Sequence, residues 1–133
     1  MKKILLSIFS ILVLSIVAIA QKNISYPVVV SFRSICCGVP DSKPVMEFIK
    51  SFKKQHRIKR IVVDSIGPMG KEGEYYLAFR LKELSKTQKI KFIQQLKKIA
   101  PAMKDRGSAS IIENMLVDKA TLYSRASIIT KIL

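Results

Sequence analysis

The order in which two periodicities follow one another is the strongest constraint on how this chain folds. Four stretches favour strand, and in two of them, 27–35 and 74–81, side chains alternate between two faces with the period of two that is typical of strands. In two further stretches, apolar residues recur three and four positions apart, which is typical of helices. The six stretches follow the order β-α-β-β-α-β. Few arrangements satisfy this order, because one hairpin must lie between two passes that each join a strand to a helix.

Local signals set the bounds of these elements. The predicted strands are 27–35, 60–66, 74–81 and 110–117, and the predicted helices are 44–57 and 85–100. Asp41 or Ser42 is the expected N-cap of the first helix. Ser85 and Gln88 have the spacing of a capping box at the start of the second helix, and Pro101 ends it.

A glycine-rich loop joins the second and third strands. Gly67, Gly70 and Gly73 repeat every three residues, with Lys71 between them, and this pattern superficially resembles a phosphate-cradling loop. A nucleotide loop needs a strand before it and a helix after it, whereas this loop lies between two strands. We therefore predict a hairpin turn.

The layout resembles the ferredoxin-like α+β sandwich, in which two helices cover one face of an antiparallel sheet. The resemblance concerns the fold alone, because no motif specific to a family accompanies it. It implies a single domain over residues 21–133, with a core at about 27–118. The extension 119–133 is predicted to be an added edge strand or a tail.

The sheet face opposite the helices is the predicted site of a subunit interface, such as that of a homodimer. Arg33, Asp64, Tyr76 and Arg80 are expected to share this face. Aromatic and arginine side chains on such a face stack bases in RNA-binding proteins of similar fold. A plain cross-strand ion pair between Asp64 and Arg33 or Arg80 is the alternative explanation for these residues.

The first twenty residues have the pattern of a signal peptide. Lys2 and Lys3 precede an uncharged apolar run, 4–17, and Ala18-Ile19-Ala20 supplies the small-x-small pattern of a cleavage site. The alternative is an uncleaved anchor, since 4–20 is at the lower length limit for spanning a bilayer. We predict cleavage after Ala20 and export to the periplasm or the medium.

The charge balance limits the classes of partner. The chain has 24 Lys+Arg, 9 Asp+Glu and one His, a net charge of +15. Loss of Lys2 and Lys3 with the signal peptide leaves 22 basic and 9 acidic side chains, or +13. Outside the cytoplasm, nucleic acid is disfavoured as a partner, and the available polyanions are lipid head groups, lipopolysaccharide, acidic polysaccharide and extracellular DNA.

Part of the positive charge is predicted to form a stripe on the first helix that continues into the second strand. Its members are the candidate anion-binding residues Lys50, Lys53, Lys54, Arg57, Lys59 and Arg60. The alternative is an ordinary solvated helix face. His56 continues the apolar face of this helix, and we predict a packing residue there rather than a catalytic base.

Two adjacent cysteines, Cys36 and Cys37, lie where the first strand leads into the first helix. Ferredoxin-like metallochaperones hold a soft metal at this turn with a Cys-x-x-Cys motif, so this chain shares only the position. Adjacent thiolates suit Cu(I) or Hg(II) with a third ligand, for which Met46, Met69 and Met103 are candidates. A labile vicinal disulfide and two plain turn cysteines are the other hypotheses.

Two functions follow from these features. The leading hypothesis is a small exported binding module that contacts an anionic envelope component, or a protein, and has no catalytic activity or cofactor. The scarcity of His and acidic residues makes a hydrolytic enzyme improbable. The alternative is a thiol-redox or soft-metal-binding protein that uses Cys36 and Cys37.

Overall fold

The structure, a computed structural model, describes residues 23–118 and 127–133. The predicted signal peptide, 1–20, lies outside these residues. No helix in the described ranges is long and apolar enough to cross a membrane. The elements, in chain order, are β1 (Ile24–Ser34), α1 (Lys43–His56), β2 (Val62–Gly67), β3 (Tyr75–Phe79), α2 (Lys86–Ile99), a 3-10 turn (Ala100–Ala102), β4 (Gly107–Val117) and β5 (Ser127–Ile132).

The strands form one antiparallel five-stranded sheet in the order β4-β1-β3-β2-β5. With its two helices the fold is α+β, as predicted. The glycine loop joins β2 to β3 as an antiparallel hairpin, so the hairpin prediction is confirmed. β5 pairs with β2 and is the predicted extra edge strand. Residues 121–126, which we also expected to favour strand, lie outside the described ranges.

The pairing of β1 with β4 is longer than local periodicity predicted. β1 begins at Ile24 rather than Pro27, and β4 begins at Gly107 rather than Ser110. The two strands pair from one end to the other except at Pro27, and their ladder supports these ends although local alternation does not. Only glycine fits at the start of β4, because a Cβ on Gly107 would lie 2.2 Å from the carbonyl oxygen of Arg33.

The helix starts follow the predicted capping residues with one difference. The Ser85 hydroxyl accepts from the Gln88 N–H at 3.3 Å, and the Gln88 side chain accepts from the Ser85 N–H at 2.9 Å, which is the predicted capping box. Ser42 is the N-cap of α1, but its side chain caps no N–H group. Asp41 instead accepts from the Lys43 N–H at 2.9 Å.

Both helices pack on one face of the sheet around a cluster of aromatic side chains. The Phe92 ring of α2 meets Phe52 of α1 edge-on at 5.1 Å and Phe79 of β3 at 5.3 Å, measured between ring centroids. Phe92 and Phe79 are fully buried. The cluster therefore joins the two helices and the sheet in one core.

A second apolar cluster lies on the opposite face of the sheet. Its fully buried members are Tyr26, Val29, Ile66 and Ala78. Tyr26 belongs to this face although Val28 and Val30 lie on the helix side, so the alternation of β1 changes phase at Pro27. The partner strand is irregular at the same place, because Asn114 adopts a left-handed φ of 53°. This change of phase directs Tyr26 toward β2.

Tyr26 contacts the buried carboxylate of Asp64, which accepts hydrogen bonds from three other strands or their ends. The Tyr26 hydroxyl donates at 2.6 Å and the Thr130 hydroxyl of β5 donates at 2.6 Å. Arg80, which follows β3, donates through Nε at 2.9 Å and lies 2.8 Å away through Nη2. Asp64 has no exposed area, so these donors replace water as its partners.

These contacts set the protonation of the group. Burial raises the pKa of Asp64, but hydrogen bonds from Thr130, Tyr26 and Arg80 and the Arg80 charge outweigh it, so the pKa lies below its usual value. Burial and the hydrogen bond to Asp64 raise the pKa of Tyr26 well above its usual value. The carboxylate is therefore ionised and the phenol protonated at neutral pH.

Replacing the buried carboxylate with an amide tests this arrangement. We expect Asp64→Asn to lower the free energy of unfolding at pH 7 by about 3 kcal/mol, because the guanidinium of Arg80 loses its counter-charge. The folded pKa lies below the unfolded value of about 3.9. The stabilisation is therefore complete above about pH 5 and is lost as the pH falls through the folded pKa.

Urea unfolding at pH 7 and at pH 3 measures both effects. Wild type loses more stability between these two pH values than Asp64→Asn does. An equal loss in the two proteins would contradict the assigned role of Asp64. Thr130→Val, which removes one donor and keeps the charge pair, is the matched control and has a smaller effect.

Candidate functional site

The structure divides five of the six predicted anion-binding residues between two concave surfaces, and Lys54 lines neither of them. Helix α1 ends at His56, and Arg57 adopts a left-handed conformation, φ 52° and ψ 39°, so the chain turns away from the helix axis. Arg57, Lys59 and Arg60 consequently line one concavity. Lys50 and Lys53, which lie within α1, line another. If the helix continued through Arg57, helical periodicity would place this residue beside Lys53. The left-handed turn instead places the two residues at different concavities.

The first concavity, which we call the basic cleft, has a volume of about 520 Å³. It is lined by His56, Arg57, Ile58, Lys59, Arg60, Glu83 and Gln88. Arg60 Nε lies 3.6 Å from a Glu83 carboxylate oxygen, and the Arg60 side chain is 62% exposed. This long, solvated pair stabilises the fold little and leaves the guanidinium accessible. The cleft therefore has more positive than negative charge.

Helix electrostatics account for part of the basic sequence. Lys53, Lys54 and His56 lie in the last turn of α1, where positive charge interacts favourably with the exposed carbonyl groups. Arg57 donates its backbone N–H to the carbonyls of Lys53 and Lys54 as the C-cap. Lys59 and Arg60 lie beyond the helix, so this stabilisation does not explain them.

His56 has the packing role that the sequence predicted. Its ring centroid lies 4.3 Å from that of Phe52, with the two planes tilted by 44°. The residue is half-buried and lies at the border of the basic cleft. The contact fixes one wall of the cleft to the aromatic core.

The second concavity lies between α1 and the end of β5, and we call it the α1–β5 groove. It has a volume of about 310 Å³ and a mainly apolar lining. Met46 and Ile49 of α1 face Leu133, and Lys50 and Lys53 complete the lining. Leu133 continues the ladder beyond β5, because its N–H donates to the Ile61 carbonyl and its carbonyl accepts from the Ile61 N–H. No pattern in the sequence predicted this groove.

Both cysteines are exposed and unlinked in the turn after β1. A hydrogen bond with the Cys37 side chain raises the pKa of Cys36, and the negative charge of Glu72 adds to this effect. Met46 and Met103 belong to the helix-side core, and Met103 is buried. Within residues 23–118 and 127–133, no three His, Cys, Asp or Glu side chains gather in a metal-binding arrangement.

The residues predicted on the second sheet face are only partly brought together. Asp64 pairs with Arg80, which confirms the alternative of cross-strand support. Tyr76 packs against the apolar cluster of this face. Arg33 lies at the other end of β1, in register with Ser108. The subunit interface on this face stays a prediction.

Two members of the Asp64 network were absent from the sequence prediction. Tyr26 lies before the predicted start of the first strand, and Thr130 lies in a segment with only a weak strand pattern. The available signal was Asp64 itself, a single carboxylate among the apolar residues of a predicted strand. Such a group needs donors, but the sequence does not say which strands supply them.

Comparison with known proteins does not assign these surfaces. No protein-family model matches the chain, and searches of curated proteins and of solved structures gave no significant match.

The cysteine pair gives a test of its own. We expect Cys37→Ala to increase the rate at which iodoacetamide alkylates Cys36 near pH 8, because loss of the hydrogen bond lowers the pKa of Cys36 and increases its thiolate fraction. Alkylation followed by mass spectrometry from pH 7 to 10 measures the midpoint. Cys37→Ser, which keeps a hydrogen-bonding group, is the control. An unshifted midpoint in Cys37→Ala would contradict the contact.

Proposed function

We propose that this chain is a small exported binding module whose basic cleft receives an anionic group of an envelope or extracellular partner. The observation that carries the proposal is the convergence of Arg57, Lys59 and Arg60 around one concavity. In this proposal the module acts by binding and has neither catalytic activity nor a cofactor.

The side chains of the cleft suit phosphate, sulfate or carboxylate. The two guanidinium groups offer planar pairs of donors for bidentate contacts, and Lys59 adds a mobile point charge. Arg60 exchanges its contact with Glu83 for the ligand, and the cost is small because that contact is long and solvated. The negative charge of Glu83 disfavours the binding of anions too weakly charged to displace it from Arg60. The cleft is therefore suited to a compact, strongly charged group.

Export supports the choice of partner. The predicted cleavage after Ala20 places the mature chain, with its excess of basic residues, among envelope polyanions. Lipid head groups, lipopolysaccharide and acidic polysaccharide all present phosphate, carboxylate or sulfate groups. Nucleic acid is a less favoured partner in that compartment.

We further propose that the scaffold is a ferredoxin-like βαββαβ sandwich extended by β5. The sheet order supports this assignment: β3 lies between β1 and β2, and β1 lies between β3 and β4. Each strand-helix-strand pass therefore crosses one intervening strand, as in a split βαβ unit. Both helices contribute to the same core cluster, on one face of the sheet.

The thiol function stays a second proposal, which the exposure and adjacency of Cys36 and Cys37 favour. Under it, reduced protein takes up Cu(I) in a fixed ratio through the two thiolates. Titration with a Cu(I) competitor measures the ratio in wild type and in a Cys36→Ser, Cys37→Ser double variant. Equal uptake by both proteins would remove this proposal.

Charge reversal tests the basic cleft. We expect Arg57→Glu, Lys59→Glu, Arg60→Glu to weaken binding to heparin-agarose at least tenfold, because each lost charge-assisted hydrogen bond contributes about 1.5–3 kcal/mol. The variant elutes at lower salt than wild type.

The matched control reverses three exposed lysines outside the cleft, Lys71→Glu, Lys82→Glu and Lys86→Glu, and makes the same change in net charge. If the cleft is a site, the control elutes between the cleft variant and wild type. Identical elution of the two variants would mean that net charge alone governs retention and would contradict the proposal.

A further inference from the structure

The outer edge of β5 has the features of an interaction surface. Among the strands in the described part of the chain, β5 is the last on its side of the sheet. Three of its six side chains are isoleucines, and of these Ile129 and Ile132 are 56% and 68% exposed. An edge of this kind presents backbone groups that another strand can pair with.

The register identifies which backbone groups face outward. Leu133 exchanges two hydrogen bonds with Ile61, so the alternate positions Lys131 and Ile129 also direct their backbone groups toward β2. The N–H and C=O groups of Ile128, Thr130 and Ile132 then point away from the sheet. Three consecutive outward positions suffice for a short antiparallel or parallel ladder.

The two edges of the sheet differ in their protection against such pairing. β4, at the other edge, carries Glu113 and the left-handed Asn114, which interrupt a regular edge. β5 has the sequence SIITKI, with no proline and Lys131 as its single charge. Its outer edge is therefore regular, and no strand in the described part of the chain pairs with it.

The α1–β5 groove adjoins this edge and supplies side-chain contacts. Its lining by Met46, Ile49 and Leu133 accepts an apolar side chain. Lys50 and Lys53 line the same groove. Lys131 and Leu133 lie on the same face of the strand, since they alternate with Ile132. The lysine side chains thus surround the apolar lining of the groove, beside a strand edge that no other described strand pairs with.

We propose that β5 and the α1–β5 groove bind an extended acidic segment of a protein partner by strand addition. The backbone of the segment pairs with Ile128, Thr130 and Ile132, and its apolar side chains enter the groove between β5 and α1. Its carboxylates meet Lys50, Lys53 and Lys131. The surface is separate from the basic cleft, and the proposal does not depend on the function of that cleft.

Charge complementarity selects this occupant over a second copy of the chain. A second copy pairing through its own β5 brings Lys131 and a net charge of +15, or +13 after signal cleavage, toward the same lysines. An acidic strand replaces this repulsion with attraction. Backbone pairing then provides affinity, and the lysines select the charge of the segment.

Four synthetic peptides test the mode of binding. The first is an acetylated, fluorescein-labelled peptide in which valine alternates with glutamate; the second has lysine in place of glutamate. Methylation of the glutamate peptide on alternate backbone nitrogens, once in each phase, gives a third and a fourth peptide. One of these two lacks the N–H groups that face β5, and the other lacks only those that face away from it. We expect the glutamate peptide to bind, and the lysine peptide and one of the two methylated peptides to bind at least tenfold more weakly, as measured by fluorescence anisotropy.

Two pairs of variants locate the surface on the protein. Ile132→Pro removes an outward N–H without removing a donor to β2, and it should weaken binding at least tenfold, whereas Ile132→Thr should not. Lys50→Glu with Lys53→Glu should weaken binding at least tenfold and favour the lysine peptide. Lys54→Glu with Lys86→Glu makes the same change in net charge and should have little effect. Circular dichroism checks that each variant is folded.

Several outcomes would overturn the proposal. If both methylated peptides bind as tightly as the unmethylated glutamate peptide, strand addition is excluded, and this outcome needs no variant of the protein. Absence of binding by the glutamate peptide at millimolar concentration excludes an acidic occupant. A dimer in sedimentation equilibrium that Ile132→Pro dissociates would identify a second copy as the occupant of this edge instead.

Discussion

The buried carboxylate of Asp64 is the interaction on which the arrangement of the sheet depends. An ionised group without access to water must find its partners within the fold, and here they come from β1, the end of β3 and β5. Each partner fixes a different strand to β2. The need of the Asp64 carboxylate for buried partners therefore accounts for both the position of β5 and the ion pair with Arg80. Since Leu133 continues β5, the α1–β5 groove also depends on this carboxylate.

A break in alternation makes that network geometrically feasible. With regular alternation through Pro27, Tyr26 would lie with Val28 on the helix side and its hydroxyl would enter the apolar core. Pro27 has no N–H to donate to the ladder, so an irregularity costs less there than at neighbouring positions. Asn114 tolerates the left-handed backbone that the partner strand adopts. The second face thus gains a hydroxyl donor for Asp64.

Features encoded within a few residues, or across the β2–β3 hairpin, were predicted from the sequence, whereas side-chain contacts between more distant segments were not. One example is the capping box of Ser85 and Gln88, which depends on a three-residue spacing at the start of α2. Another is the contact of His56 with Phe52, which depends on a four-residue spacing within α1. The Asp64 contacts span 38 residues to Tyr26 and 66 to Thr130, and no local pattern specifies such pairs. The separation of Arg57 from Lys53 depends on one left-handed residue, which helical periodicity does not reveal.

The attachment of β5 also has a consequence for the dynamics of the sheet. Edge strands commonly fray as independent units, because their release exposes little apolar surface. Release of β5 also removes the Thr130 hydroxyl from Asp64, and the carboxylate must then be rehydrated beside Tyr26 and Arg80. Local opening of β5 is thereby coupled to the electrostatics of the sheet interior. Strand detachment and hydration of the interior become a single cooperative event, so the edge shares the stability of the core.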